Sequence, residues 1–164
     1  MMDPTHNQDT AALGAAGPAP FAFPIERGKV AEFARAIWET SPVFLEPEAV
    51  LEAGFGDIPV PLTYPVICRF FQRLGNEARH GLDMRWTVHA EQEFEYQRLP
   101  LVGETLTVRQ RLGERREKVG RRGGRLIFQD VETTFEDAQG QRVLLMRQTL
   151  VQTEGPIKQD TRSD

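Results

Sequence analysis

The sequence has one cysteine, Cys68. That excludes an internal disulfide and any zinc site built on two thiolates, and it suits a reducing compartment, the cytoplasm. No apolar run approaches the ~18 residues that a membrane helix needs, so no membrane partner is expected. There is no excess of positive charge. The 20 Lys+Arg against 24 Asp+Glu leave −4, which argues against nucleic acid. Residues 1–20 lack a basic start and a long apolar stretch, and so do not read as a signal peptide. Histidine is scarce, with His6, His80 and His89 only. No metal and no cofactor are expected.

What is present suits one ordinary domain: 164 residues, 40% hydrophobic and 27% charged. Residues 1–20 and 154–164 have little to bury and read as disordered or flexible tails around a folded unit over 21–153. Lys29 to Trp38 reads as a helix, with Val30, Phe33, Ala34 and Ile37 on one face. Glu48 to Ala53 reads as a short helix closed by Gly54. Pro61 to Leu74 reads as a longer, largely buried helix of about 20 Å, with Pro65 in its first turn and Gly75 after its end.

The period then changes from helical to two. Trp86, Val88, Ala90, Gln92, Phe94 and Tyr96 alternate with Thr87, His89, Glu91, Glu93, Glu95 and Gln97, as on the two faces of a long strand. Further strands are expected over Glu104–Val119, Arg125–Glu136 and Gln141–Thr153. Gly120–Gly124 and Asp137–Gly140 punctuate them. The pattern predicts a buried helix followed by three antiparallel hairpin connections, with one sheet covering the helix.

Helix first and long antiparallel strands after it is the order of a hot-dog fold, of α+β class. Phe33-Ala34-Arg35-Ala36-Ile37, Pro42, Pro47-Glu48-Ala49 and Ala53-Gly54-Phe55 resemble the MaoC-like hydratase family. His89-Ala90-Glu91-Gln92-Glu93-Phe94-Glu95-Tyr96, with Arg98 and Gly103-Glu104, resembles the HGEQEFEY-x-R-P-L-x-x-GD segment of its N-terminal-type dehydratase domains. Ala90 replaces the usual glycine, and Leu99-Pro100 reverses the usual order. Glu132-Thr133-Thr134-Phe135 and Gly140 extend the match. The resemblance implies chemistry on a 2-enoyl thioester carried by coenzyme A or acyl carrier protein. Such hydration or dehydration needs a carboxylate and an imidazole for proton exchange, and backbone N–H donors for the thioester oxygen.

Active members supply the first pair from Asp-x-Asn-Pro-Ile/Leu-His. The corresponding run here is Glu39-Thr40-Ser41-Pro42-Val43-Phe44. Phenylalanine cannot transfer a proton. The His-Gly that opens the central helix falls near Pro61-Leu62, and proline has no N–H to donate. The resemblance therefore implies a degenerate half-site. Its expected setting is a homodimer, or a heterodimer with a catalytic MaoC-like subunit, in fatty-acid metabolism. Two rivals stand beside this reading. One is an acyl-CoA thioesterase using Glu52 or Glu77, and the other is an acyl-thioester binding or assembly module without turnover.

Several residues have two readings each. His89 and Glu39 are the candidate catalytic groups. His89 is otherwise a strand histidine on the polar face, and Glu39 an exposed helix-end residue. Gln92 lies among apolar neighbours and needs a hydrogen-bond partner. Phe44, Phe55 and Tyr64, with Phe70 and Phe71, are candidates for an acyl channel or for the core. Asp130 and Glu132 interrupt Leu126 and Phe128, and edge exposure is the expected reason. Cys68 reads as a small hydrophobe. Residues 109–125 hold eight Lys or Arg, including Arg115, Arg116, Arg121 and Arg122, against Glu114 and Glu117. They suit either a phosphate or acidic-carrier contact or a solvated hairpin.

Overall fold

The period-two segments pair into one antiparallel sheet of five strands, in a computed structural model that describes residues 18–72, 81–120 and 123–155. The strands are β1 (Phe21–Pro24), β2 (Thr87–Tyr96), β3 (Thr105–Val119), β4 (Arg125–Glu136) and β5 (Arg142–Thr153). Their order across the sheet is β1-β3-β4-β5-β2. Helix α1 (Arg27–Ala36) and the short α2 (Pro47–Glu52) precede the long strands. This is the α+β hot-dog arrangement that the sequence order implies. The proposed tails lie almost wholly outside the described residues. None of the described helices is long and apolar enough to cross a membrane.

Two expectations need correction. Only two of the three strand connections are hairpins, because β2 pairs with β5 and not with β3. The chain between β2 and β3 docks on the 58–60 segment instead. Val60 N donates to Pro100 O at 3.1 Å and Val102 N to Ile58 O at 2.9 Å. The free side of β3 is taken by β1, whose four residues end in proline and carry almost no period. The second correction concerns the central helix. Among the described residues it is a 3-10 helix over Tyr64–Phe70, with i→i−3 bonds such as Tyr64 N to Pro61 O at 2.8 Å. Pro65, Val66 and Ile67 disfavour α-helix, through a missing donor and stiff χ1 angles. Seven residues is long for a 3-10 run.

The core lies between these segments and the apolar end of the sheet. Phe23 is its hub. Its ring centroid is 5.8 Å from that of Tyr64, 5.2 Å from Phe71 and 5.9 Å from Phe135. Phe135 pairs with Leu144 and Glu136 with Arg142, so Val143 is an extra residue. That bulge lets consecutive Val143 and Leu144 both enter the core.

Two more bulges fall on one line across the sheet. In β2, His89 pairs with Leu150 and Glu91 with Thr149, leaving Ala90 over. In β3, Leu112 pairs with Val131 and Arg115 with Gln129, so Gly113 and Glu114 share Asp130. Gly113 permits the close approach, since a Cβ there would meet Asp130 Cβ at 3.0 Å. Gln129, only 3% exposed, donates from Nε2 to Gly113 O at 3.2 Å and to Asp130 O at 3.0 Å. The buried amide thereby serves a carbonyl in the irregular stretch of the ladder.

Candidate functional site

Helix α1 closes in a Schellman turn. Glu39 N donates to Ala34 O at 2.9 Å and Trp38 N to Arg35 O at 3.1 Å. Beyond it the chain enters the segment aligned with the reacting motif. The Glu39 carboxylate turns back on its own chain and accepts from Ser41 N at 2.8 Å, fixing the approach to the 3-10 turn Pro42–Phe44. Phe44 ends that turn half-buried. The carboxylate thus caps local backbone, and the place of the imidazole is filled by a hydrocarbon ring.

The next element opens on a proline, which has no N–H to donate. Pro61 is buried, and its carbonyl accepts Tyr64 N–H. The adjacent Leu62 carbonyl accepts the Tyr96 hydroxyl at 2.6 Å. Tyr96 thereby ties the edge strand β2 to the loop that opens the 3-10 helix. Burial pushes its phenol well above the ordinary tyrosine range. No sequence signal predicted this tie.

The bulge at Ala90 reverses the expected face of His89. Register places His89 opposite Leu150 and Gln129, on the face that also carries Gln92, Phe94 and Tyr96. Val88 goes to the outer face with Glu91, Glu93 and Glu95. His89 is nevertheless exposed, since β2 is an edge strand. Along β2 it lies roughly 20 Å from Tyr96, at ~3.3 Å per residue. One chain therefore does not bring His89 to the Pro61–Thr63 loop. Among the described residues no hydrogen bond or ion pair joins it to Glu39. Gln92 finds its partner in β5, donating to Arg147 O at 3.1 Å.

The aromatic candidates divide. Phe44 is half-buried, and Phe55 packs against the core from its edge. Tyr64 is fully enclosed, and it is a core residue rather than a lining one. Its hydroxyl has no partner among the described residues. Burial, followed by the Glu26 charge, pushes it up to about 12. Cys68 is likewise buried, and desolvation raises its thiol to about 12, so it carries no thiolate near neutral pH. Phe70 is 74% exposed.

The basic stretch meets carboxylates across the ladder. Arg109 pairs with Glu136 at 2.9 Å and Arg116 with Asp130 at 2.9 Å. Arg111 pairs with Glu132 and Arg125 with Glu117. Asp130 also accepts from Thr149 Oγ1 at 2.8 Å. Asp130 and Glu132 therefore sit on the central strand β4 opposite cations, and not at a sheet edge. Arg121, Arg122, His80 and Glu77 lie outside the described residues. Glu52 is exposed at the end of α2.

Residues 11–146 match the family model for the FAS1-like dehydratase domain region. The chain belongs to that family. It is 36% identical over 136 residues to a UPF0336 protein of Clavibacter michiganensis subsp. michiganensis, covering 82% of this chain and 88% of that one. A solved MaoC-like dehydratase superposes with a TM-score of 0.64 at 26% identity, over 86% of this chain and 43% of that one. The ChsH1-ChsH2 complex of Mycobacterium tuberculosis shares the fold, with a TM-score of 0.69 at 18% identity, over 90% and 89% of the two chains. The FAS1-like domain is thus a MaoC-like hot-dog whose structural neighbours include hydratases, dehydratases and a two-subunit complex.

Proposed function

We propose that this chain is the substrate-holding, catalytically degenerate half of an (R)-specific enoyl-thioester hydratase or 3-hydroxyacyl-thioester dehydratase, working beside a second hot-dog subunit in the cytoplasm. The observation that carries it is the state of the half-site. Glu39 Oε1 accepts Ser41 N–H, Phe44 stands where the family uses histidine, and Pro61 offers no N–H. A water molecule here has no imidazole to exchange protons with. The chemistry then belongs to the partner's half, and this chain helps to enclose the acyl thioester. The position of His89 on the inner face of the edge strand β2 supports its assignment to a shared channel.

The experiment follows the absorbance change of crotonyl-CoA. The lone chain hydrates it slowly, and a family partner with an intact Asp/His motif restores turnover by about 10²–10⁴-fold, the usual contribution of a general acid–base group. In that complex Glu39→Gln has little effect and His89→Ala lowers the rate. Fast turnover by the lone chain, abolished by Glu39→Gln or His89→Ala, overturns the proposal. Release of free thiol by the lone chain would point to the thioesterase reading instead.

A further inference from the structure

Strand β2 ends the sheet, with β5 on one side and no strand on the other among the described residues. Its open side is an edge of about 33 Å whose N–H and C=O groups are a template for another strand. The two faces of that edge differ. On the inner face the Phe94 and Tyr96 rings stack at 6.4 Å, and Tyr96 bonds to Leu62, whose side chain is exposed. The outer face carries Glu91, Glu93 and Glu95. Arg147 bridges Glu93 and Glu95, and Arg142 also reaches Glu95. Glu91 stands exposed opposite Thr149, with no ion pair among the described residues.

The charge pattern selects the occupant. Across the outer face, register sets Glu93 beside Arg147, Arg147 beside Glu132 and Glu132 beside Arg111. The sign alternates at each strand step, and at the open edge the row ends on a carboxylate. A strand added there continues the row only with a cation opposite Glu93. A second copy of this chain does not supply one. Antiparallel strands related by a twofold axis at Gln92, Glu93 or Phe94 set Glu93 against the copy's Glu91, Glu93 or Glu95 respectively, and like charges directly opposite destabilise a ladder. We infer that the β2 edge takes the edge strand of a second, different hot-dog chain, whose outer face carries lysine or arginine opposite Glu91 and Glu93, and that it disfavours a second copy of this chain. The inference rests on the two-subunit reading above and adds the chemistry by which the partner is chosen.

The test uses charge-reversed copies of the full chain as the probe, followed by analytical ultracentrifugation at micromolar concentration. In low salt the wild-type chain sediments as a monomer, and mixing it with Glu91→Lys/Glu93→Lys/Glu95→Lys yields a mixed dimer. The mixed association exceeds either self-association by about tenfold or more, since opposing cross-strand charges contribute up to about fivefold per pair. It weakens as salt rises, because exposed charges are screened. Glu91→Lys alone breaks no ion pair among the described residues, so it keeps the fold and moves the mixture in the same direction. Amide hydrogen exchange over residues 87–96 slows in the mixture, and exchange in α1 and α2 does not change. The inference is overturned by a wild-type dimer that protects β2, by a mixture that does not associate, by association indifferent to salt, or by protection confined to the helical layer. Crotonyl-CoA hydration with the catalytic partner is scored separately. Restored turnover whose dependence on partner concentration is unchanged in Glu91→Lys removes the edge contact and leaves the degenerate-subunit reading. Absence of restored turnover removes that reading, while the mixed dimer still decides the edge.

Discussion

The outer face of the sheet and the helical layer on its other side are built on opposite terms. On the outer face, register aligns Glu93, Arg147, Glu132 and Arg111 in one transverse row of alternating charge over β2, β5, β4 and β3. Arg147 bridges Glu93 at 3.0 Å and Glu95 at 3.1 Å, and Arg142 reaches Glu95 at 3.1 Å. The helical layer instead exposes Ile37, Trp38, Leu51, Leu62 and Phe70, and encloses a phenol with no partner among the described residues. The charged face contains Arg109, Arg111 and Arg116 of the basic stretch, and they hold strands together. The layer with unsatisfied groups contains the half-site. In this chain satisfied polarity marks architecture, and exposed apolar side chains mark where another molecule is to be sought.

The largest effect expected from disturbing this contrast is in the core. Phe23→Ala removes a ring packed against three others and lowers unfolding stability by ~3–5 kcal/mol in chemical denaturation. A loss below ~1 kcal/mol would mean that the aromatic hub does not hold the helical layer to the sheet. Gln129→Ala comes next. It deprives the Gly113 carbonyl of its donor and costs ~1–3 kcal/mol, more than an outer-face ion pair does. Tyr64→Phe has the opposite sign. Deleting a buried hydroxyl that has no partner among the described residues raises stability by about 1 kcal/mol. A loss on that substitution would show that the hydroxyl does have a partner. Arg111→Ala is the smallest effect, within ~1 kcal/mol, and it shrinks as salt rises, because the pair is largely solvated. A salt-independent loss of several kcal/mol there would erase the distinction between the two faces.

Much of the sheet was legible from sequence because period two is a local property. The expected Arg125–Glu136 strand is β4 to the residue, and the neighbouring strands differ by about one residue. The features that were not legible depend on register. Ala90 looks like any strand alanine, and only its place opposite the Thr149–Leu150 step makes it an extra residue. The basic hairpin read as a cationic patch because the carboxylates Asp130, Glu132 and Glu136 are distant in sequence and adjacent only across the ladder. β1 was missed because four residues ending in proline are too few to show a period. That Phe44 and Pro61 depart from the family's motif was legible from the resemblance alone. The loss of Glu39 to a backbone cap was not, because it depends on a side-chain rotamer.

The Ala90 bulge means that β2 is written in two phases. Residues after it place even numbers on the inner face, and residues before it place odd numbers there. Deleting that single alanine would merge the phases. His89 would then adjoin Glu91 directly, still opposite Leu150 on the inner face, and Val88 would stay on the outer face. Drawing Ala90 into a regular ladder without any deletion would instead turn His89 to the glutamate face and Val88 inward, and every side chain before the bulge would exchange its environment.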